Sequence, residues 1–142
     1  MSASLTIGQL SQATQVPAKT IRYYEETKLL PEAKRSNNGY RTYEERDVHL
    51  LKFIKRSRDL GFSVEKVGYL LALWNNPQRR SRDVKKMVHT HVAQIESKIS
   101  QLEGLRETLN DLVKHCHGDD APDCPILQDL EGLSSAGDEE RG

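Results

Sequence analysis

Hydrophobic spacing at the start of the chain predicts two short helices. Thr6 and Gln9 form a capping box, and the apolar residues after them recur at helical spacing, which predicts a helix over about 7–14. A second helix restarts at Pro17, a residue suited to a first helical turn, with Ile21 on its apolar face. Two helices joined by a tight turn are a candidate helix-turn-helix, whose second helix would enter a major groove. An ordinary helical hairpin with a charged face fits these residues equally well.

The stretch "PEAKRSNNGYRTYEE" predicts a small β-hairpin after the helix pair. Asn38-Gly39 favours a type I′ turn, in which both central residues need positive φ. Cationic and aromatic side chains on the two arms suit a phosphate backbone, and they are Lys34, Arg35, Tyr40, Arg41 and Tyr43. A ribbon directly after a helix-turn-helix is a wing, and a connecting surface hairpin is the plain alternative.

Two further helices are expected before the first clear break in the pattern. Thr42 and Glu45 form a second capping box, which predicts the start of a third helix. Ser63 caps a fourth helix, whose inward face includes Trp74, and "NNPQRR" ends it. Residues 1–75 are therefore predicted to form a winged DNA-binding domain. Its expected core is Ile7, Leu10, Val16, Ile21, Leu29, Leu30, Leu51, Ile54, Phe62, Val67 and Leu70.

After a linker at 76–80, residues 81–115 contain no proline and predict one long helix. Its apolar residues follow a heptad register, interrupted by His91 and Lys98. Such a helix spans about 50 Å, too long for the small N-terminal domain to cover, so a second copy of the chain is the simplest partner. Packing on the chain's own N-terminal domain is the alternative. The predicted dimer interface is Val84, Val88, Ile95, Leu102, Leu105, Leu109 and Leu112.

Composition limits the classes of protein to consider. No apolar run approaches the roughly 18 residues of a membrane span, and the N-terminus has no signal-peptide pattern, so a soluble cytoplasmic protein is expected. Net charge is zero, yet residues 1–60 carry 11 basic and 7 acidic residues, whereas 119–142 carry 1 and 8. The basic excess in the N-terminal part of the chain suggests an anionic partner. An ordinary solvated surface explains so modest an excess of basic residues equally well.

Both cysteines lie in the stretch "HCHGDDAPDCP", within a segment at 116–131 that ends in a short amphipathic stretch. A reducing cytoplasm disfavours a structural disulfide. Two thiolates suffice for a soft monovalent ion such as Cu(I), Ag(I) or Au(I), whereas Zn(II) normally takes four ligands. His115 and His117 flank Cys116 so closely that convergence of all three on one divalent ion is awkward. The tail at 132–142 is charged and expected to be disordered.

Other functions of the two cysteines remain open. In a thiol redox switch they would form a disulfide under oxidants, although Asp119, Asp120 and Asp123 are expected to raise the thiol pKa and slow that reaction. An enzyme is a third class, because Cys116 beside a histidine is a nominal nucleophile and base. Neighbours in sequence rarely have the required geometry, so this class is disfavoured.

The order of these parts resembles the MerR family of transcriptional activators over residues 5–131. The stretches that carry the resemblance are "LTIGQLSQATQVPAKTIRYYEETKLL", "RSNNGYRTYEERD" and "LGFSVEKVGYLL", followed by the long helix and the two-cysteine loop. Within them, "NNPQRRSRDVK" and the spacing C-x7-C-P-I resemble the copper-responsive branch. The resemblance implies an all-α fold with a small β-wing: a winged helix-turn-helix domain, a long dimerisation helix in an antiparallel coiled coil and a C-terminal metal-binding loop.

The same resemblance implies a mechanism. A homodimer would bind a palindromic operator between promoter elements that are spaced too far apart. Binding of Cu(I), or of Ag(I) or Au(I), would distort the DNA so that RNA polymerase can use both elements and transcribe copper-tolerance genes. Sensing of a divalent ion (Zn, Cd, Pb or Hg) or of thiol oxidation is the alternative within this family.

Individual residues take their expected roles from this resemblance. Cys116 and Cys124 match the metal-binding cysteines of the family's loop. Ser81 matches a position where sensors of monovalent ions have Ser, whereas sensors of divalent ions have a Cys that supplies a third ligand from the partner chain. The matching DNA-binding residues are Lys19, Thr20, Arg22 and Tyr23 on the second helix and Arg35, Tyr40 and Arg41 on the wing.

Overall fold

The computed structural model describes residues 4–120, 122 and 124–132. Six helices and two strands follow in the order α1 (Ile7–Thr14), α2 (Ala18–Glu26), β1 (Lys34–Arg35), β2 (Arg41–Thr42), α3 (Glu45–Asp59), α4 (Val64–Trp74), α5 (Ser81–His115) and α6 (Pro125–Leu130) within these residues. The strands pair antiparallel. This mostly helical fold with a small wing confirms the predicted class. The chain divides into two compact units, with the boundary between Met87 and Val88 inside α5.

Side-chain caps begin α1 and α4 as the sequence predicts. The hydroxyl of Thr6 accepts from the Gln9 backbone N–H at 3.1 Å, and the Gln9 side chain accepts from the Thr6 N–H at 2.9 Å. Ser63 accepts from the backbone N–H of Lys66 at 3.2 Å. Each contact satisfies N–H groups that a helix start leaves without a partner, so both boundaries follow from local chemistry.

The start of α3 differs from the prediction. The expected box of Thr42 with Glu45 is wrong, because Thr42 belongs to the wing, where its hydroxyl donates to the carbonyl of Lys34 at 3.0 Å. The helix begins two residues later than that box implied, with Glu44 at the cap position. There the carboxylate of Asp47 accepts from the Glu44 backbone N–H at 2.8 Å.

The turn of the wing also differs from the prediction. Gly39 has a φ of +82°, but Asn38 is not among the described residues with positive φ, so a type I′ turn is wrong. The Ser36 N–H donates to the Tyr40 carbonyl at 2.8 Å, and the Gly39 N–H donates to the Ser36 carbonyl at 2.9 Å. These bonds close a three-residue loop over 37–39, which needs a left-handed residue only at its last position.

Apolar side chains from all four N-terminal helices and the wing form one core. Its buried members are Leu10, Val16, Ile21, Tyr24, Leu30, Tyr43, Leu51, Ile54, Phe62, Val67 and Leu71. Three residues expected in this core, Ile7, Leu29 and Leu70, are only partly buried and pack against it. On α4, Val67 and Leu71 are the buried residues, and Leu70 packs at the edge of the core.

Two aromatic residues differ from the prediction in their exposure to solvent. Tyr43, expected on the exposed wing, is only 1% exposed. Its backbone exchanges hydrogen bonds with Leu5 at 2.8 and 2.9 Å, and this bridge holds the residue against the core. Trp74, expected to point inward, is 43% exposed and stacks on Phe53 with ring centroids 4.7 Å apart.

No helix in the described part of the chain has the length and apolarity to cross a membrane.

Candidate DNA-binding surface and thiol pair

Helix α2 has a buried face and a polar outer face. Ile21 and Tyr24 are buried in the core. The predicted contact residues occupy the rest of the helix: Lys19, Arg22 and Tyr23 are exposed, and Thr20 is partly exposed. Because the core fixes the inner face, the cationic side chains must face outward, as a recognition helix requires.

The predicted contact residues of the wing differ in their exposure to solvent. Tyr40 is 72% exposed at the end of the hairpin. Arg35 is exposed, and its guanidinium donates to the carbonyl of Gly39 at 2.9 Å, across its own loop. Arg41 is only about one-third exposed (32%) and forms an ion pair with Glu25 of α2. The wing therefore offers one aromatic ring and two arginines, one of them anchored to the helix pair.

Glu25 joins α2 to the wing. Its side chain is only 5% exposed. One carboxylate oxygen accepts from Arg41, and the other accepts from the Tyr43 hydroxyl at 2.6 Å. Burial of the phenol, together with this hydrogen bond, raises the pKa of Tyr43 to about 12. The hydrogen bond with Tyr43 and the negative charge of Glu25 also raise the pKa of Arg41, against the opposing effect of burial.

This carboxylate was not expected from the sequence, although a weak signal was present. Glu25 lies four residues after Ile21 and therefore on the buried side of α2. An acidic residue on a buried face is rarely tolerated without a partner. That pattern indicates that a cation must approach, but it does not say which one. A cleft of about 500 Å³ lies beside the carboxylate, and the cations that line it are Arg22, Lys28, Arg35 and Arg41.

The second candidate site contains the two cysteines. Cys116 directly follows α5, and Cys124 directly precedes α6. Gly118, with a φ of +67°, supports the reversal of the chain between them. Both thiols are free and partly buried, with their sulfur atoms 3.7 Å apart. A disulfide would need about 2.05 Å, so these are two separate thiols in contact.

The electrostatics of the thiol pair differ from the expectation. The backbone N–H of Leu127 stabilises the thiolate of Cys124 and lowers its pKa, desolvation opposes this effect, and smaller contributions from Cys116 and the Ile126 backbone lower the pKa further. The predicted rise from nearby aspartates is therefore wrong for Cys124. Asp123, one of those aspartates, lies outside the described residues.

The flanking histidines do not complete a metal-binding cluster. His115 bonds through Nδ1 to the carbonyl of Asp111 at 2.7 Å, one turn back on its own helix. Among the residues that the structure describes, no group of three or more His, Cys, Asp or Glu side chains is arranged to hold a metal ion. What these residues bring together is a pair of free thiols.

Comparison with known proteins finds matches over most of the chain. The family of MerR HTH regulatory proteins matches residues 5–73, and the MerR DNA-binding family matches residues 48–112. Heavy metal-dependent transcription regulator 2 of Rhizobium meliloti is 48% identical to this chain, over 92% of the chain and 89% of that protein.

The chain belongs to the MerR family. Its relatives are transcription regulators and not enzymes. The regulator CueR of Salmonella typhimurium is 41% identical, over 90% of this chain and 93% of CueR. The crystal structure of the regulator PbrR691 from Ralstonia metallidurans, in complex with lead(II), matches with a TM-score of 0.78 at 32% identity, over 89% of this chain and 98% of PbrR691.

The thiol pair of this MerR-family chain has dimensions that suit a metal ion. Metal–sulfur bonds of about 2.3 Å separate two sulfurs by about 4.6 Å when they lie in line and by about 3.8 Å at a tetrahedral angle. The observed 3.7 Å matches the bent arrangement and is about 1 Å short of the linear one. The pair therefore fits a thiolate-bound metal ion, and the distance by itself does not choose the metal.

Ser81 is the first residue of α5 and is exposed. The residue before it, Arg80, occupies the cap position, and its guanidinium pairs with Asp83 at 3.2 Å. Ser81 therefore lies inside the first turn of the helix. Its hydroxyl lies at the point where this MerR-family chain enters its long helix.

An apolar stripe runs along α5 of the MerR-family chain and is exposed in the single chain. The predicted members Val88, Ile95, Leu102, Leu105 and Leu109 are exposed, whereas Val84 and Leu112 are partly buried. The prediction missed Val92, Ile99 and Val113, which are exposed beside them. Each of these three follows a predicted member by four residues and therefore lies on the same side of the helix. His91, placed in the predicted register, is buried.

Proposed function

We propose that this MerR-family regulator is a Cu(I)-responsive transcriptional activator. It binds a palindromic promoter operator as a homodimer in the cytoplasm. Cu(I), or Ag(I) or Au(I) in its place, binds to Cys116 and Cys124, and the dimer then distorts the DNA so that RNA polymerase transcribes copper-tolerance genes. The observation that carries the proposal is the pair of free thiols, 3.7 Å apart, on a chain whose other unit is a winged helix-turn-helix.

Contact with DNA follows from the outer face of α2 and from the wing. Lys19, Arg22 and Tyr23 are exposed for contact with base edges or phosphates, and Thr20 lies between them. Arg35, Tyr40 and Arg41 of the wing supply phosphate contacts. Phosphate contacts fix the register of a protein on DNA, whereas base contacts give specificity, so the helix and the wing have different tasks.

A homodimer is supported by the stripe on α5. The exposed apolar residues recur at spacings of three and four over seven turns of helix, which is the pattern of a coiled-coil interface. Water-exposed apolar stripes of this length are costly in a monomer. A second α5 covers the stripe, and the resemblance to the MerR family favours an antiparallel pair.

Charge and ligand number favour a monovalent ion. Two thiolates with a +1 ion carry a net charge of −1, whereas two thiolates with a +2 ion are neutral and leave the ion short of ligands. In divalent sensors, as the resemblance implies, a cysteine of the partner chain adds a third thiolate. Here the matching position has the hydroxyl of Ser81. PbrR691, crystallised with lead(II), is a member of the same fold with a divalent ion, so divalent sensing is the alternative to exclude.

A thiol redox switch is the second candidate function. The contact between the two sulfurs and the lowered pKa of Cys124 both favour disulfide formation under an oxidant. In that case the same two residues would respond to oxidation, and metal stoichiometry would not predict transcription.

Anaerobic titration of the reduced protein separates these functions. We expect one Cu(I) or Ag(I) per chain, loss of that site in Cys116→Ser, and no comparable Zn(II) or Pb(II) site. A transcription assay with the same samples should show activation by Cu(I) without oxidant. Tight Pb(II) binding at two thiols, or activation by oxidant in metal-free protein, would replace the Cu(I) proposal.

The variant Ser81→Cys sharpens this test. If ligand number sets selectivity, a third thiolate should allow Cd(II) or Pb(II) to bind, with new thiolate-to-metal absorption. Ser100→Cys is the matched control, because Ser100 is also an exposed serine of α5. Equal spectra for the two variants would show that Ser81 has no special relation to the metal site.

A further inference from the structure

The Glu25 carboxylate is buried beside the surface that is proposed to bind a polyanion. A carboxylate in that place opposes DNA binding by charge, and its burial is costly unless both oxygens are satisfied. Here both are satisfied, by Arg41 on β2 and by Tyr43 at the end of the wing. A single side chain on α2 therefore binds both Arg41 and Tyr43 on the second arm of the wing.

We propose that Glu25 is a positioning residue for DNA recognition, which acts through Arg41. This proposal rests on the proposed DNA-binding function. The guanidinium of Arg41 has five N–H groups, more than Glu25 and Tyr43 together use, and it lines the cleft between α2 and the wing. Glu25 orients that guanidinium, so that the remaining N–H groups meet a phosphate while α2 is in the groove.

The direction of the effect on DNA affinity distinguishes this role from a purely electrostatic one. Removing a negative charge near the DNA strengthens binding if the carboxylate only repels phosphates. Removing it weakens binding if its main effect is to hold Arg41 in place. A residue that only stabilises the fold would change the melting temperature and leave the affinity of the folded protein unchanged.

The first experiment compares Glu25→Gln with Glu26→Gln, two charge-removing variants at adjacent positions. Glu26 is exposed and lines the same cleft, so it reports the effect of charge alone. The probe is a DNA duplex enriched from a random library by the wild-type protein. We expect Glu25→Gln to bind it about 10-fold more weakly, as for the loss of one hydrogen bond to a charged group. Glu26→Gln should bind equally or more tightly.

The second experiment is a double-mutant cycle with Arg41→Gln, at a temperature where circular dichroism shows every variant folded. If Glu25 acts through Arg41, Glu25→Gln should cost less than about 2-fold in the Arg41→Gln background. Tyr43→Phe keeps the buried ring and removes only the hydroxyl, so it should weaken binding less than Glu25→Gln. A full 10-fold cost of Glu25→Gln without Arg41 would overturn the proposal.

Failure of the proposed DNA-binding function and failure of the positioning role of Glu25 give different results. Wild-type protein that enriches no duplex overturns the proposed DNA-binding function, and this inference with it. Tight wild-type binding, together with Glu25→Gln that binds as tightly or more tightly, overturns the positioning role alone and leaves the proposed function standing.

Discussion

The two units of the chain use their apolar residues in opposite ways. In the N-terminal unit, Leu51 and Ile54 of α3 are fully buried among the other helices and the wing. In the C-terminal unit, Leu102 and Leu109 of α5 remain more than half exposed in the single chain. The first unit buries these apolar side chains against its own residues. The second leaves apolar side chains exposed in the single chain, and these side chains form the surface that the proposed dimer would bury.

The largest expected effect comes from a charge in the α5 stripe. Leu102→Glu should convert the proposed dimer into a monomer of 16.2 kDa, because each chain would bury an unpaired carboxylate in the interface. Operator binding should fall with it, since one half-site contact is lost. Sedimentation at micromolar concentration measures the mass. Ser100→Glu, on the opposite side of the helix, is the control and should remain dimeric; a dimeric Leu102→Glu protein would contradict the proposed interface.

The second prediction separates metal-induced transcription from operator binding. Cys116→Ser should abolish metal-induced transcription, because the remaining thiolate cannot hold the ion against competing cellular thiols. Operator binding should stay within about 3-fold of wild type, since the winged unit is unchanged. Band-shift titration and run-off transcription measure the two quantities. His117→Ala, which removes a neighbouring donor, should leave the response intact; a loss of DNA affinity in Cys116→Ser would mean that the two units are not separable in this way.

A core truncation tests whether the N-terminal unit is self-contained. Leu51→Ala should lower the free energy of unfolding by about 3 kcal/mol, from lost burial and the cavity that remains. Leu60→Ala removes the same atoms from a half-exposed site and should cost less than about 1 kcal/mol. Urea denaturation followed by circular dichroism gives both values. Equal losses at the two positions would show that the core does not carry the stability of this unit.

The smallest expected effect concerns the reactivity of Cys124. Its lowered pKa means that, below the ordinary thiol pKa of about 8.5, a larger fraction is thiolate than in the unfolded chain. Alkylation of Cys124 by iodoacetamide at pH 7 should be a few-fold faster in the folded protein than in urea, partly offset by the lower nucleophilicity of a more acidic thiol. The difference should vanish above about pH 10, where both forms are ionised. Mass spectrometry of the labelled peptide measures the rates, and a slower folded-state reaction at pH 7 would contradict the lowered pKa.

Local chemistry made part of the fold predictable. The Thr6 and Gln9 box and the Ser63 cap are contacts between residues three apart, so the sequence contains all of their partners. The same holds for the long α5, whose helical pattern needs no knowledge of the rest of the chain. The prediction was wrong where a residue had two local options, as at Thr42, which could cap α3 or bond within the wing.

Long-range contacts account for what was missed. Tyr43 is buried because its backbone pairs with Leu5, thirty-eight positions earlier in the chain, and no local pattern reports that bridge. The Glu25 to Arg41 pair likewise joins elements sixteen residues apart. At the thiol site, the two cysteines were evident from composition, but the effect of the Leu127 backbone on Cys124 depends on where α6 begins.

The proximity of the two sulfurs has a kinetic consequence. If one thiolate captures a metal ion from a small carrier thiol, the second is already 3.7 Å from the first and acts as an intramolecular ligand. Its effective concentration then exceeds the roughly millimolar level typical of a short flexible tether, because the cost of closing the loop has been met in folding. A metal ion bound by either thiolate would therefore be held by both, and a competitor for the ion would have to displace two ligands that the fold already keeps together.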